Sequence, residues 1–227
     1  MTRDQIVSII KQRMGNNTDP TLDALIVTEM QLQQGILEEE PEKPWFLVTT
    51  GSAAGTADSR VVGPPTKDRS GTTCALLGEY EPGTAWVKLD SDGTDEQEIC
   101  DKEDYAIVYN SRNTVELTRN SHPKFYTQDP DTINVYQVWS APTENYTFYL
   151  QGYYADVPLT SDITNLWLTH APDLIIGRVG SIMAGQYEAL SEFAAAFLAQ
   201  ETQARNRLMK MNVLKEEENI RRVMGDS

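Results

Sequence analysis

Residues 164–190 read TNLWLTHAPDLIIGRVGSIMAGQYEAL, and the reading of this stretch decides the fold. Leu166, Trp167 and Leu168 open a short helix, and Ala171-Pro172-Asp173 breaks it. Leu174, Ile175, Val179, Ile182 and Met183 then fall along one side of a second helix. Gly177, Gly180, Ala184 and Gly185 are interspersed with them, and residues this small let a second helix approach closely, within one copy or between copies. These four are the candidates for helix packing between subunits. His170 and Asp173 flank the break at hydrogen-bonding separation, but no strand-turn Ser or Cys accompanies them, so His170 reads as a structural helix-end residue. The break is a corner between helices.

A third apolar series follows, through Leu190, Phe193, Phe197, Ala204, Leu208, Met211 and Leu214. It predicts one helix from Gln186 to about Arg222, roughly 50 Å long at 1.5 Å rise per residue. Glu217/Arg221 and Glu218/Arg222 are favourable i,i+4 pairs that carry it past the core. Its charged end offers Lys215, Ile220, Arg221, Arg222, Val223 and Met224 as candidates for seating in a partner protein, with the arginines facing the partner's carboxylates.

Toward the N-terminus the pattern is helical again. Ile6, Ile9, Ile10 and Met14 are followed by the stop Gly15-Asn16-Asn17. Thr18-Asp19-Pro20 caps a second helix whose stripe is Leu22, Leu25, Ile26, Met30, Gln33 and Leu37. The run 38–44, EEEPEKP, ends it.

Between the two helical parts the period changes to that of strands. Strands are expected at Trp45–Thr50, Cys74–Leu77, Ala85–Leu89, Tyr105–Tyr109 and Thr114–Leu117. Ile133–Trp139 and Tyr146–Tyr153 read as an antiparallel pair, and Gly51–Gly71 reads as a long loop with a short strand at Val61-Val62. The fold class is therefore α+β: a helical bundle from the N- and C-terminal segments with an inserted antiparallel β lobe. The segments are 1–40, 41–158 and 159–227, the last completing the helical domain.

The chain has 227 residues and a net charge of −15, with 40% hydrophobic and 23% charged residues, as in a globular protein that buries a core. Residues 37–162 hold nine Lys/Arg against twenty-two Asp/Glu, whereas the flanking parts are nearly balanced. Such a surface repels nucleic acid, so the protein is no DNA reader, though DNA can slide past it. No run approaches the roughly 18 apolar residues of a membrane span. Met1-Thr2-Arg3-Asp4 leads into no signal-peptide core, so no membrane step is expected.

Reactive groups are sparse. Cys74 and Cys100 sit in no CxxC pattern and read as two buried thiols, with one disulfide as the alternative. With His122 and His170 they would have to supply every ligand of a structural zinc, which argues against one. The acidic run 90–98, DSDGTDEQE, has a calcium loop's composition but a misplaced Gly and Glu, so it reads as a solvated turn. Gly51–Gly55 precedes no Lys-Ser/Thr, so it is no phosphate loop. No catalytic residue, cofactor or metal is assigned, and the chain is not expected to be an enzyme.

The helical ends resemble a known family. Leu166-Trp167-Leu168, the break at Ala171-Pro172-Asp173, the apolar helix with Gly180-Ser181-Ile182-Met183-Ala184 and the long Glu188–Arg222 helix are similar to the C-terminal part of tailed-bacteriophage head-to-tail adaptor (connector) proteins. The capped helix from Thr21 to Leu37 and the aromatic Trp45-Phe46 resemble the N-terminal half of the same proteins. The resemblance implies a structural virion protein of the neck region, assembled in the host cytoplasm. It implies a homo-oligomeric ring of twelve copies below the portal protein, with the C-terminal segment reaching into the portal and the β lobe facing a tail or nozzle protein. Genomic DNA would pass through without specific binding. The alternative is a virion binding module, a head fibre or glycan receptor, using Trp86, Tyr105, Tyr109, Trp139, Tyr146 and Tyr149 as stacking surfaces.

Overall fold

The computed structural model describes residues 1–15, 19–81, 84–93, 98–104, 122–139, 141–159, 164–186 and 191–225. The chain divides into two compact units, Met1–Leu47 with Asp156–Ser227, and Val48–Ala155. The first is helical: α1 (Arg3–Arg13), α2 (Pro20–Glu39), a 3-10 turn (Trp45–Leu47), α3 (Leu166–His170), α4 (Pro172–Gln186) and α5 (Ser191–Gly225). The starts follow local chemistry. Thr2 and Gln5 form a capping box on α1, and Asp19 accepts from the Thr21 N–H with Pro20 as the first helical residue of α2. On α3 the cap is Asn165, whose Oδ1 accepts from the Leu168 N–H at 3.1 Å. A second capping sequence just upstream, Thr160-Ser161-Asp162, lies outside the described residues.

The centre of this unit is α4, which packs against α1, α2, α3 and α5. Leu174, Ile175, Ile176, Val179, Met183 and Ala184 are all buried, and a helix apolar around so much of its circumference must be surrounded by protein. Its contact with α5 is closer than any side chain allows. A Cβ on Gly177 would stand 2.5 Å from the Glu201 amide nitrogen, and one on Gly180 would stand 2.3 Å from the Phe197 ring. Two of the four small residues set aside for contacts between copies are thus spent within the chain. Ala184 is fully buried in the same unit, while a Cβ on Gly185 would meet nothing within 4 Å.

A buried polar cluster closes the helical unit where its two chain segments meet. The Oε1 atom of Glu38, at the end of α2, accepts from Gln34 Nε2 (2.9 Å), Trp167 Nε1 (2.9 Å) and the Asp156 N–H (3.1 Å). Asn165 Nδ2 donates to the Val157 carbonyl at 2.6 Å, and the Asp156 carboxylate accepts from the Leu166 N–H. Desolvation raises the Glu38 pKa above its ordinary 4.5, against the lowering effect of those three hydrogen bonds.

Two expected apolar stripes are corrected. On α2, Leu22, Ile26, Met30, Gln33 and Leu37 are buried, but Leu25 is 46% exposed and shares its face with exposed Leu32 and Ile36. On α5, Phe197 and Ala204 are buried, but Met211 and Leu214 are exposed, because a 35-residue helix outruns the 15-residue α4 it packs on.

The second unit is a small, mostly antiparallel barrel. Its strands are β1 (Val48–Gly55), β2 (Val61–Val62), β3 (Thr66–Arg69), β4 (Thr72–Glu79), β5 (Ala85–Leu89), β6 (Glu98–Lys102), β7 (Phe125–Gln128), β8 (Tyr136–Trp139) and β9 (Tyr146–Tyr154). The order is β1-β3-β4-β9-β5-β6-β7-β8-β2, with β1 also paired to β9. The organising strand is β9: one edge takes β1 along its length, and the other is shared between β5 and β4. Its strict alternation turns Tyr146, Phe148, Leu150 and Tyr154 into one core with Val62, Val87, Tyr136 and Val138.

Several strand expectations change. Gly51–Gly71 is no loop, since β1 runs to Gly55 and β3 follows. Gly51 and Gly55 lie beneath Tyr154 and Tyr146, whose rings would be 2.4 and 2.1 Å from an added Cβ. Glycine here makes room for cross-strand tyrosines, the reverse of its usual meaning as a loop former. Trp45–Leu47 is a 3-10 turn, and the strand starts at Val48. The expected pair of Ile133–Trp139 with Tyr146–Tyr153 does not form: β8 pairs with β7 and β2, and Ile133 is 84% exposed before the strand begins. Tyr105–Tyr109 and Thr114–Leu117 lie outside the described residues. Cys74 and Cys100 are buried thiols, not joined in a disulfide.

Two outcomes follow from this packing. Gly177→Ala forces α4 off α5 against backbone atoms that no rotamer can relieve, so chemical denaturation should show a loss of about 1–3 kcal/mol. Glu38→Ala removes the shared acceptor of three donors and should cost about 3 kcal/mol or more. Glu38→Gln keeps the acceptor and discards the charge. Because the native pKa lies above the unfolded value, the ionised carboxyl weakens the fold at neutral pH, and that penalty disappears as pH falls through the native pKa. The Tm advantage of Glu38→Gln should therefore be largest near pH 7 and vanish below 4.5.

Candidate functional site

The long helix α5 is the element that sequence reading marks for partners, and its own unit grips it at three levels. Near its start, Phe197 fills the notch left by Gly180. One to two turns on, Glu201 and Arg205 join Arg178 of α4 and Glu40 in an alternating ion network, with Arg178–Glu201 at 3.2 Å and Arg205 holding Glu40 through both terminal nitrogens. Donation to the Glu40 carboxylate raises the Arg205 pKa further, against partial desolvation. Farther along, Asn212 accepts from the Trp45 N–H at 3.0 Å and donates to the Lys43 carbonyl at 3.2 Å. Asparagine there serves as a two-way clasp on an extended segment. Lys215 lies 5.6 Å from the Trp45 ring centroid and pairs with Glu218 at 2.6 Å.

Beyond this grip the helix continues ten more residues to Gly225, about 15 Å. Of the interface candidates, Lys215 is thus placed on its own protomer. For Ile220, Arg221, Arg222, Val223 and Met224 the backbone is helical, and their side chains lie outside the description.

Beside the Asn212 clasp is a cavity of about 190 Å³ lined by Trp45, His170, Asp173, Arg207, Leu208 and Met211. His170 is stacked on Phe46 (centroids 5.3 Å) and edge-on to Trp45 (5.0 Å), while Asp173 accepts from Gln200 and faces Arg207 at 3.8 Å. Phe46 in turn meets Trp167 edge to face at 5.1 Å. His170 is one wall of an aromatic cluster that holds the 3-10 turn against α3.

In the barrel unit the acidic turn is internally committed. Asp92 Oδ2 accepts from the Leu89 N–H (2.6 Å) and meets His122 Nε2 at 2.7 Å. Partial burial opposes ionisation, but the hydrogen bonds from His122 and Leu89 hold the Asp92 pKa below the ordinary carboxylate value. Among the described residues no three His, Cys, Asp or Glu are placed to hold a metal. The candidate stacking aromatics separate. Trp139 and Tyr146 are core residues, and burial pushes the Tyr146 pKa up. Trp86 and Tyr149 are half-buried neighbours across β5 and β9, stacked at 5.5 Å and 13°. Tyr105 and Tyr109 lie outside the described residues.

The helical unit, interrupted in sequence by the barrel unit, carries a helix that outruns the core it packs on. The family model described as SU10 adaptor protein matches residues 1–224, and the chain belongs to this family of phage adaptor proteins. A search of curated proteins finds no match.

What sequence reading missed is the second grip on α5: Asn212, Arg178, Glu40 and Arg205 join segments far apart in the chain. Their one local signal was a polar residue on an otherwise apolar helical stripe, as with Arg178 between Ile176 and Val179.

Proposed function

We propose that this chain is a head-to-tail adaptor that assembles as a ring, of twelve copies, below the portal of the filled head, joins it to the tail or nozzle protein, and lines the channel through which the genome leaves. The observation that carries the reading is α5. It is anchored on its own protomer as far as Asn212 and Lys215 and then extends as a helix bearing Ile220, Arg221, Arg222, Val223 and Met224. A stretch of that composition suits the portal as its partner, with the apolar residues seated and the arginines paired. Family membership supports an adaptor's role, and that role is structural.

The charge balance supports the channel. Twenty-two carboxylates against nine cations in 37–162 repel phosphate, so DNA meets a wall that does not hold it during ejection. Gly185, whose surroundings are open, is the one of the four small residues still available for a close helix contact with a neighbouring copy. The glycan-binding reading retains Trp86 and Tyr149, whose parallel stacking gives one flat pair and leaves them paired with each other.

Deleting Lys215–Ser227 tests the role of the tail. The truncated protein should keep its circular dichroism and melt within a few degrees of the full chain, because an exposed cation–π contact is worth only about 0.5–1 kcal/mol. It should fail to join filled heads to tails in an in vitro complementation assay. Normal joining by the truncated chain would remove the tail from the mechanism.

A further inference from the structure

Two helix faces of the helical unit carry exposed apolar residues. On α2, Leu25, Leu32 and Ile36 are 46%, 56% and 37% exposed and fall at helical spacing with exposed Thr28 between them. On α5, Leu198 and Val213 are 56% and 55% exposed, and exposed Ala199, Thr202 and Asn206 lie between them on the same face. The stripes are about 16 and 22 Å long by helical rise. Both helices pack on α4 and hardly on each other, so these are two different surfaces of one protomer.

Their charges are opposite. From Pro20 to Glu39, α2 carries Asp23, Glu29, Glu38 and Glu39 and no Lys or Arg. From Thr202 to Lys215, α5 carries Arg205, Arg207, Lys210 and Lys215 and no carboxylate. Glu39 and Lys210 are exposed, and Arg207 keeps 72% of its side chain exposed beside a long 3.8 Å pair. Placing two α2 faces together would set carboxylate against carboxylate, and two α5 faces would set cation against cation.

We infer that the outer face of α2 on one copy docks on the outer face of α5 on the next copy. Leu25, Leu32 and Ile36 lie against Leu198, Thr202 and Val213, flanked by Glu39-to-cation pairing. Two different complementary patches on one protomer make a head-to-tail contact, and repetition of such a contact closes into a ring when its rotation permits. This names the subunit interface of the ring proposed above and rests on that reading.

The test is native mass spectrometry of the full chain, alone and with portal rings of the same phage. Leu32→Asp and Val213→Asp place a carboxylate in the apolar contact from either side. Each should lower the fraction of protein in rings by more than about tenfold, since every contact of the ring carries the same substitution. Circular dichroism and melting should be unchanged, since both positions are exposed. Thr28→Arg and Thr202→Glu, also at exposed positions, set like charges against the facing helix, and should repeat the loss and guard against a folding defect in either first variant. Rings that form undiminished in either aspartate variant would overturn the docking face while leaving the ring intact. Loss in one aspartate variant alone would overturn the head-to-tail pairing. Persistent monomer of the unsubstituted chain in both conditions would instead bring down the ring reading itself.

Discussion

The helical unit depends on one buried carboxylate. Glu38 gathers the Asp156 amide, the Trp167 indole and the Gln34 amide onto a single oxygen, and so ties the end of α2 to the segment that returns after 108 residues of barrel. The insertion gives the two helical segments a large loop-closure entropy to overcome. A directional contact at their junction offsets part of it and fixes the register at which α3 begins. The cost is a carboxyl held out of water, visible in its raised pKa. Once α3 is set, the Pro172 corner aims α4 through the middle of the unit.

The position of α5 follows from that of α4. The two helices approach until only glycine fits at Gly177 and Gly180, and contact of this closeness fixes α5 near its start. The ion network of Glu40, Arg178, Glu201 and Arg205 and the Asn212 clasp add direction, because each joins α5 to a different segment. A docking helix that projects beyond its core is useful only if its base cannot swing. In this protein the base is held by backbone-close packing, by paired charges and by a two-way amide, three kinds of interaction that fail independently.

The barrel shows how burial pattern and residue size cooperate. Tyr146 and Tyr154 alternate inward on β9 and lie over Gly55 and Gly51 of β1, so large and small residues complement each other across one ladder. The half-buried Trp86 and Tyr149 lie on the face of β5 and β9 away from the tyrosine core, and the largely buried Glu79 carboxylate sits beside Tyr126 and Tyr136 of that core.

The sequence by itself determined what short-range periodicity encodes. The helical ends, the Pro172 corner, the length of α5, the strands at Ala85–Leu89 and Tyr146–Tyr154 and the acidic insertion are all legible from residues within one or two turns of each other. The interface candidates 220–224 rest on composition alone, an apolar and basic stretch beyond the last apolar stripe. Only the tertiary structure decided which members of each stripe are inside. Leu25 has the spacing of a core residue and lies outside, because α2 meets α4 and α1 through its other residues. Gly51 and Gly55 have the composition of a loop and lie in a strand, because the rings that need their space are almost a hundred residues away. Periodicity reports which residues share a face. What that face meets depends on contacts between distant segments, and those exist only when the chain has folded.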